Sequence, residues 1–214
     1  MAKDLLWRFG EDYAGIPLDP AGCDADPIVE FRAWFAAAIA AKLPNANAMT
    51  LATIDERDRP AARIVVLKEV DERGFVFFTN YDSRKGRQLG EHPFAALVFL
   101  WKQLDRQVHV AGAVERVDEA ESDEYFATRP RDAQLGAWAS HQSQVISGRE
   151  ELEARLAEVE TRFPDVVARP SHWGGFRVRP ETIEFWQGRR HRLHDRFLYS
   201  VIDGSAWAIE RLAP

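Results

Sequence analysis

The apolar positions of the chain change period twice. Between Asp26 and Leu43 they fall at Ile28, Phe31, Phe35, Ile39 and Leu43, and this spacing predicts a helix that packs by one face. Asp26-Pro27 marks its start, because a carboxylate can cap the free N–H groups and proline at the first helical position loses no bond. Pro44-Asn45 marks its end. From Ala48 the pattern turns to strands, predicted over Ala48–Ile54, Arg63–Val70, Phe75–Thr79, Phe94–Trp101 and Gln107–Val117, with turns at Asp55–Pro60 and Asp71-Glu72-Arg73-Gly74. A short helix over Ser83–Glu91, capped by Asp82 or Ser83, interrupts them. Connections this short favour antiparallel hairpins over parallel crossovers.

Helical signals then return. Asp118 and Glu121 form a capping-box pattern ahead of Tyr125 and Phe126, Arg131–Ser140 reads as a short helix, and Ser147 with Glu150 repeats the capping box before Leu152, Leu156, Val159 and Phe163. The chain closes on strands at Gly175–Val178, Thr182–Gln187, Phe197–Ile202 and Ala206–Arg211, the last two joined by the hairpin dipeptide Asp203-Gly204. Strands, then helices, then strands predict an α+β fold around an antiparallel sheet, a closed or split barrel with peripheral helices. Residues 1–26, with Gly15, Pro17, Pro20 and Gly22, read as an arm or lid, and 27–214 as a single domain.

Composition narrows the function classes. With 46% hydrophobic and 29% charged residues, the chain has the balance of a globular protein. Its longest uncharged apolar run, Ala33 to Ala41, is far short of the ~20 residues a membrane helix needs. The N-terminus Met1-Ala2-Lys3-Asp4 lacks a signal-peptide core, and the one cysteine, Cys23, permits no internal disulfide. A cytoplasmic protein is expected. The net charge of -6, from 34 acidic and 28 basic side chains, argues against a general nucleic-acid binder. It leaves room for a local basic pocket that takes a small anion. Seven tryptophans and 13 phenylalanines supply either a well-filled core or the walls of a site for a flat ligand.

The chain has no G-x-G-x-x-G, Walker A, H-E-x-x-H, C-x-x-C or G-x-S-x-G motif, so Rossmann binding, P-loop chemistry, zinc proteolysis and serine hydrolysis lose support. Its histidines share no metal-ligand spacing, and no metal is expected. Three cationic clusters remain. Arg63 and Lys68 lie in a strand, with Ser83-Arg84-Lys85 at a helix start. Tyr125 and Arg129 are four apart and share a helix face. Four arginines and two histidines crowd the segment from Arg189 to Arg196, just after Trp186-Gln187-Gly188. Each cluster reads either as a solvated surface or as an anion site, since cations packed together in apolar surroundings call for a counter-charge.

The motifs taken in order bear a resemblance. Arg63-Ile64-Val65-Val66-Leu67-Lys68, Phe78-Thr79-Asn80, Ser83-Arg84-Lys85, Arg106-Gln107-Val108, Tyr125-Phe126-Ala127-Thr128-Arg129-Pro130-Arg131, Gly136-Ala137-Trp138-Ala139-Ser140, Gln142-Ser143, Ile183-Glu184-Phe185-Trp186-Gln187, Arg192-Leu193-His194-Asp195-Arg196 and the terminal Arg211-Leu212-Ala213-Pro214 follow the order of the pyridoxamine/pyridoxine 5′-phosphate oxidases, and the chain resembles that family from about residue 26 onward. The resemblance implies a split-barrel homodimer with FMN at the subunit interface. It further implies oxidation of pyridoxamine and pyridoxine 5′-phosphates to pyridoxal 5′-phosphate, with molecular oxygen reduced to hydrogen peroxide.

By the same resemblance, the stretch from Arg63 through Ile64, Val65, Val66 and Leu67 to Lys68 runs along FMN. Arg63 and Lys85 meet its phosphate, with Arg84 beside them. Phe78, Thr79, Gln107, Gln142 and Ser143 contact the flavin or its ribityl chain, and Trp186 and Arg196 reach it from the other subunit. The substrate phosphate falls to Lys68, Tyr125 and Arg129. Arg192 and His194 cover the pyridine ring as the catalytic residues, and Arg192 is the group expected to affect transfer most. Ala133 stands where the family commonly has a serine. Tyr13 matches a lid tyrosine, and Gly10 sits where some members carry arginine. Two other readings stay open: an FMN oxidase of the phenazine-biosynthesis type and a non-catalytic flavin-binding module.

Overall fold

Local chemistry sets where most elements begin. The Asp26 carboxylate accepts from the Ile28 N–H at 2.8 Å and starts helix α1, Pro27–Ala40. Ser83 accepts from the Gly86 N–H to start α2, Arg84–Glu91. Asp118 accepts from the Glu121 N–H to start α3, Glu119–Thr128. Helices α4, Arg131–Ala139, and α5, Arg149–Arg162, follow. The strands are β1 Ala48–Ile54, β2 Pro60–Val66, β3 Glu69–Asp71, β4 Gly74–Asn80, β5 Phe94–Trp101, β6 Arg106–Arg116, β7 Trp173–Gln187, β8 Asp195–Ile202 and β9 Ala206–Arg211. The structure, a computed structural model, describes residues 13, 15–19, 22–204 and 206–214. The predicted arm or lid, Gly10 included, therefore lies largely outside the described residues. No helix among the described residues is long and apolar enough to cross a membrane.

The strand order is β2-β1-β5-β6-β7-β4-β3, with β8 on β7 and β9 on β8. The described ladders β3–β4, β4–β7, β7–β8 and β8–β9 are all antiparallel; short connections predict this for β3–β4, β7–β8 and β8–β9, whereas β4 and β7 lie far apart in sequence. The chain forms two compact units, one of Met1–Met49, Leu97–Ala111 and Glu181–Pro214, the other of Thr50–Ala96 and Gly112–Pro180.

In the first unit α1 buries Phe31 against Phe99 and Trp101, with ring centroids 5.0 and 6.0 Å apart, and Trp34 against Phe185 at 5.1 Å. Its buried stripe runs through Ile28, Phe31, Trp34 and Ala38, while Ile39 is 56% exposed. The predicted stripe is met at Ile28 and Phe31 and then displaced by one residue, Trp34 and Ala38 taking the inward positions expected for Phe35 and Ile39. At the C-terminus Asp203 and Gly204 carry positive φ values of 47° and 84° in the β8–β9 hairpin, as that dipeptide favours.

The second unit holds a buried cluster of Phe126, Leu135, Val167 and Trp173, against which Phe78, Tyr125, Leu156, Val159 and Phe163 pack. The strand predicted over Arg63–Val70 is in fact two. It breaks at Leu67-Lys68, where Leu67 is buried and the Lys68 N–H donates to the Val76 carbonyl at 2.9 Å, turning the chain into the β3–β4 hairpin. The predicted Ser147–Glu150 capping box is also corrected. Ser147 pairs through both its N–H and its hydroxyl with Glu151, each at 2.8 Å.

The two predicted strands on either side of Pro180 form the single strand β7. Residues 173–178 pair with β4 and 182–187 with β8. Pro180, which lacks an N–H, falls where one ladder has ended and the next has not begun, a position a strand tolerates.

Candidate active site

In the second unit, β2, β4 and the helices α3 and α4 enclose a cavity of about 700 Å³. Lys68, Lys85, Tyr125, Arg129, Gln142 and Trp173 bring its polar and aromatic groups, and Ile64, Val65, Val66, Phe78 and Thr79 its strand wall. A cavity of about 390 Å³, lined by Ala61, Ala62, Arg63, Arg84, Lys85 and Ser143, shares Lys85 with it.

The cations of these cavities have only neutral partners. Arg63 donates to the Leu51 carbonyl at 3.1 Å, the Thr53 hydroxyl at 2.7 Å and the Gln88 side-chain oxygen at 2.9 Å. Burial, and then the nearby Arg84, push its pKa below the usual arginine value. The Lys85 ammonium donates to the Gln142 amide oxygen at 2.7 Å and the Thr79 hydroxyl at 3.1 Å. Burial, and then Arg63, push its pKa down as well. Among the described residues no carboxylate pairs with Arg63, Arg84, Lys85, Lys68 or Arg129.

Arg129 lies at the C-terminal end of α3, over the Trp173 ring at 4.5 Å, and its Nη1 is buried with no hydrogen-bond partner among the described residues. Burial pushes its pKa down, with Tyr125 acting in the opposite direction. Tyr125 stacks on Phe78 at 4.0 Å, and the Lys68 ammonium sits 5.7 Å from the Tyr125 ring centroid. Half-buried cations supported only by neutral oxygens cost free energy that a bound anion offsets. The arrangement therefore offers two anion sites, Arg63 with Lys85 in the smaller cavity and Lys68 with Tyr125 and Arg129 in the larger one that shares Lys85. Aromatic Phe78 stands among the lining residues.

The first unit holds the other group. After Gln187 the chain makes a tight 3₁₀ turn, Arg190–Arg192, in which His191 and Arg192 both take positive φ, 58° and 60°. Arg192 is exposed and pairs with no carboxylate among the described residues. His194 lies 4.5 Å from the Trp186 ring and edge-on to Tyr13 at 5.1 Å. Its Nδ1 accepts from the Arg189 N–H at 3.1 Å, which leaves Nε2 to carry the proton of the neutral ring. Burial, and then Arg192, push its pKa down. Arg196 is clamped to Glu184 through two bonds of 2.7 and 3.1 Å and also donates to the Ala213 carbonyl.

Comparison with known proteins decides the family. Residues 35–163 match the family described as pyridoxamine 5′-phosphate oxidase, and residues 173–214 match the pyridoxine 5′-phosphate oxidase C-terminal dimerisation region. The pyridoxine/pyridoxamine 5′-phosphate oxidase of Burkholderia thailandensis is 56% identical over 205 residues, 95% of this chain and 96% of the relative. The chain belongs to the pyridoxamine 5′-phosphate oxidase family. The enzyme of the same name from Nostoc punctiforme is 54% identical over 205 residues, again 95% of this chain and 96% of the relative. Among solved structures, PhzG from Burkholderia lata 383, in complex with tetrahydrophenazine-1-carboxylic acid, superposes with a TM-score of 0.87 at 31% identity over 94% of this chain and all of that one. A pyridoxamine 5′-phosphate oxidase-related, FMN-binding protein from Nostoc punctiforme shares the fold, with a TM-score of 0.69 at 20% identity over 93% of this chain and all of that one. The α+β antiparallel split barrel expected from the sequence is the fold of this family.

Within that fold, the expected site residues divide between the units. Ile64, Val65, Val66, Lys68, Phe78, Thr79, Lys85, Tyr125, Arg129 and Gln142 line the large cavity, and Arg63, Arg84 and Ser143 the one that shares Lys85. Leu67 is buried and lines neither. Gln107, Trp186, Arg192, His194 and Arg196 belong to the first unit. Sequence reasoning missed Trp173, which stacks on Phe78 at 5.5 Å and carries the Arg129 guanidinium. It missed Gln88, buried and bonded to Arg63. A glutamine in a helix, or a tryptophan at the start of a strand, carries no local mark of such a role.

Proposed function

We propose that this chain is an FMN-dependent oxidase that converts pyridoxamine 5′-phosphate and pyridoxine 5′-phosphate to pyridoxal 5′-phosphate, with molecular oxygen as acceptor and hydrogen peroxide as product. The observation that carries this reading is the pair of carboxylate-free cation sets in the second unit, Arg63 with Lys85 and Lys68 with Arg129. Two phosphates, one of the cofactor and one of the substrate, are the counter-charges they lack. The enzymes of the family act on this substrate class, as their names state.

The residues present fit FMN. Arg63 and Lys85 would hold its phosphate, with Arg84 and Ser143 lining the same cavity and Thr79 and Gln142 bonded to Lys85. When bound, FMN supplies the two-electron chemistry that accepts hydride from the substrate and passes electrons to oxygen. The protein's own part is binding and orientation. Lys68, Tyr125 and Arg129 fix the substrate phosphate, away from the bond that reacts, so they act on binding of ground and transition states alike. His194, neutral and protonated at Nε2, offers one donor in a fixed direction, and Arg192 offers a charge that no carboxylate among the described residues neutralises. By the family resemblance Gln107 contacts the flavin, and Arg192 and His194 cover the pyridine ring. Residues 173–214 match a dimerisation region, and the enzyme works as a homodimer in which Trp186 and Arg196 serve the partner's flavin. The single cysteine suits a cytoplasmic enzyme.

The test is an absorption spectrum of the purified protein followed by a peroxide assay with both vitamers. Flavin absorbance, turnover on at least one vitamer and a dimeric mass by light scattering are expected. A flavin-loaded protein that turns over neither vitamer would leave the phenazine-type oxidase, which the 31%-identical PhzG structure favours, or a flavin-binding module.

A further inference from the structure

We propose that Arg177, outside the cavity lining, is a positioning residue for the substrate phosphate. The proposal rests on the reading that Lys68, Tyr125 and Arg129 take that phosphate. Arg177 lies on β7 and is 1% exposed. Its two terminal nitrogens reach different elements. Nη1 donates to Asp71 at 2.6 Å and Nη2 to Glu121 at 2.8 Å. Asp71 ends β3, the short strand that starts immediately after Lys68. Glu121 sits in the first turn of α3, one turn before Tyr125 and two before Arg129. One guanidinium thus ties the strand that follows Lys68 to the helix that carries Tyr125 and Arg129.

The capping of α3 supports this role. Asp118 accepts from the Glu121 N–H, but the Glu121 carboxylate is turned to Arg177. The capping box is therefore half-made, and its acid serves a contact 56 residues away in sequence. The other groups facing Arg177's carboxylates are Arg73, on Asp71 at 2.7 Å and 3.6 Å from Glu121, and Glu69, whose pKa burial and these two acids raise. A planar, bidentate guanidinium fixes the relative position of two carboxylates in a way that an apolar side chain of similar volume does not. The distance between Lys68 and Arg129 decides whether one phosphate can meet both, and misplacement by about 1 Å is costly in a preorganised site.

The test uses the flavin-loaded enzyme and the variant Arg177→Met/Asp71→Asn/Glu121→Gln, which removes all three charges together and so leaves none buried and unpaired. Glu121→Gln alone, at a carboxylate whose side chain is 22% exposed, is the companion should the triple variant not fold. The expected result is a rise of about tenfold in KM for pyridoxamine 5′-phosphate in the triple variant and about threefold in Glu121→Gln, with kcat and FMN affinity held. Inhibition by inorganic phosphate should weaken by the same factors. A general loosening of the fold would instead lower FMN affinity and kcat together, and that outcome overturns the proposal. So does an unchanged KM and phosphate inhibition in a folded variant. Arg129→Ala serves as the control. If it raises KM while the Arg177 and Glu121 variants do not, the role of Arg177 alone is wrong. If Arg129→Ala also leaves KM unchanged, the placement of the substrate phosphate fails and takes this role with it.

Discussion

Two sets of buried cations in the second unit are held in opposite ways. Arg177 is fully buried and saturated, with Asp71 and Glu121 at 2.6 and 2.8 Å. Arg63, Lys85 and Arg129 are half-buried and have neutral partners or, at the Arg129 Nη1, none. The difference separates architecture from binding. A paired cation is complete within the chain, and its removal leaves Asp71 and Glu121 to the exposed Arg73. An unpaired one is held in readiness at some cost to the empty protein, and that cost is recovered when an anion arrives. The pKa shifts agree, since burial pushes Arg63, Lys85 and Arg129 down.

The largest expected effect tests the paired side. Arg177→Met alone leaves the half-buried Asp71 and Glu121 with the exposed Arg73 as their one remaining counter-charge among the described residues and should lower unfolding stability by about 3 kcal/mol, measured by urea denaturation. Arg129→Ala probes the unpaired side. Its unfolding stability should stay within about 1 kcal/mol of the parent, while KM for pyridoxamine 5′-phosphate rises by about ten- to a hundredfold, as the loss of a charge-assisted contact requires. A variant that lost its flavin instead would exchange the two phosphate assignments.

A third, smaller effect concerns pH. Lys85 has a lowered pKa in the free protein, and a bound phosphate favours its charged form, so once the pH reaches that lowered pKa FMN binding takes up a proton. Affinity for FMN should therefore fall as pH rises toward the usual lysine range, earlier than an unperturbed lysine would allow. Lys85→Arg, charged throughout, should flatten that fall in a fluorescence titration across alkaline pH. A slope that Lys85→Arg leaves intact would place the titrating group elsewhere. The smallest effect is expected at Ala133, which lines the large cavity. Ala133→Ser adds a hydroxyl and should lower KM for the phosphorylated vitamers by up to about tenfold, less where water already serves, with kcat unchanged in steady-state kinetics.

Much of the fold was legible because it is set by short-range physics. Asp26-Pro27, Ser83 and Asp118 cap their own helices within three residues, and Asp203-Gly204 turns its own hairpin. The antiparallel hairpins β3–β4 and β8–β9 followed from connections too short for a crossover. The site was legible in part. Tyr125 and Arg129 share a helix face by spacing, and Arg63, Lys68 and Lys85 stood out as cations near apolar strands.

What only the tertiary structure decided is which charges are paired. The sequence shows 28 basic side chains alike. It does not mark Arg177 off from Arg129, because Arg177's partners lie 106 and 56 residues away. Nor does it place Trp173 under Arg129, join two predicted strands through Pro180, or choose Trp34 over Ile39 for the inner face of α1. Caps and turns are satisfied by neighbours in the chain and can be read there. Burial and counter-charge come from elements brought together by folding, so a residue's role as support or as binding group exists only once its surroundings do.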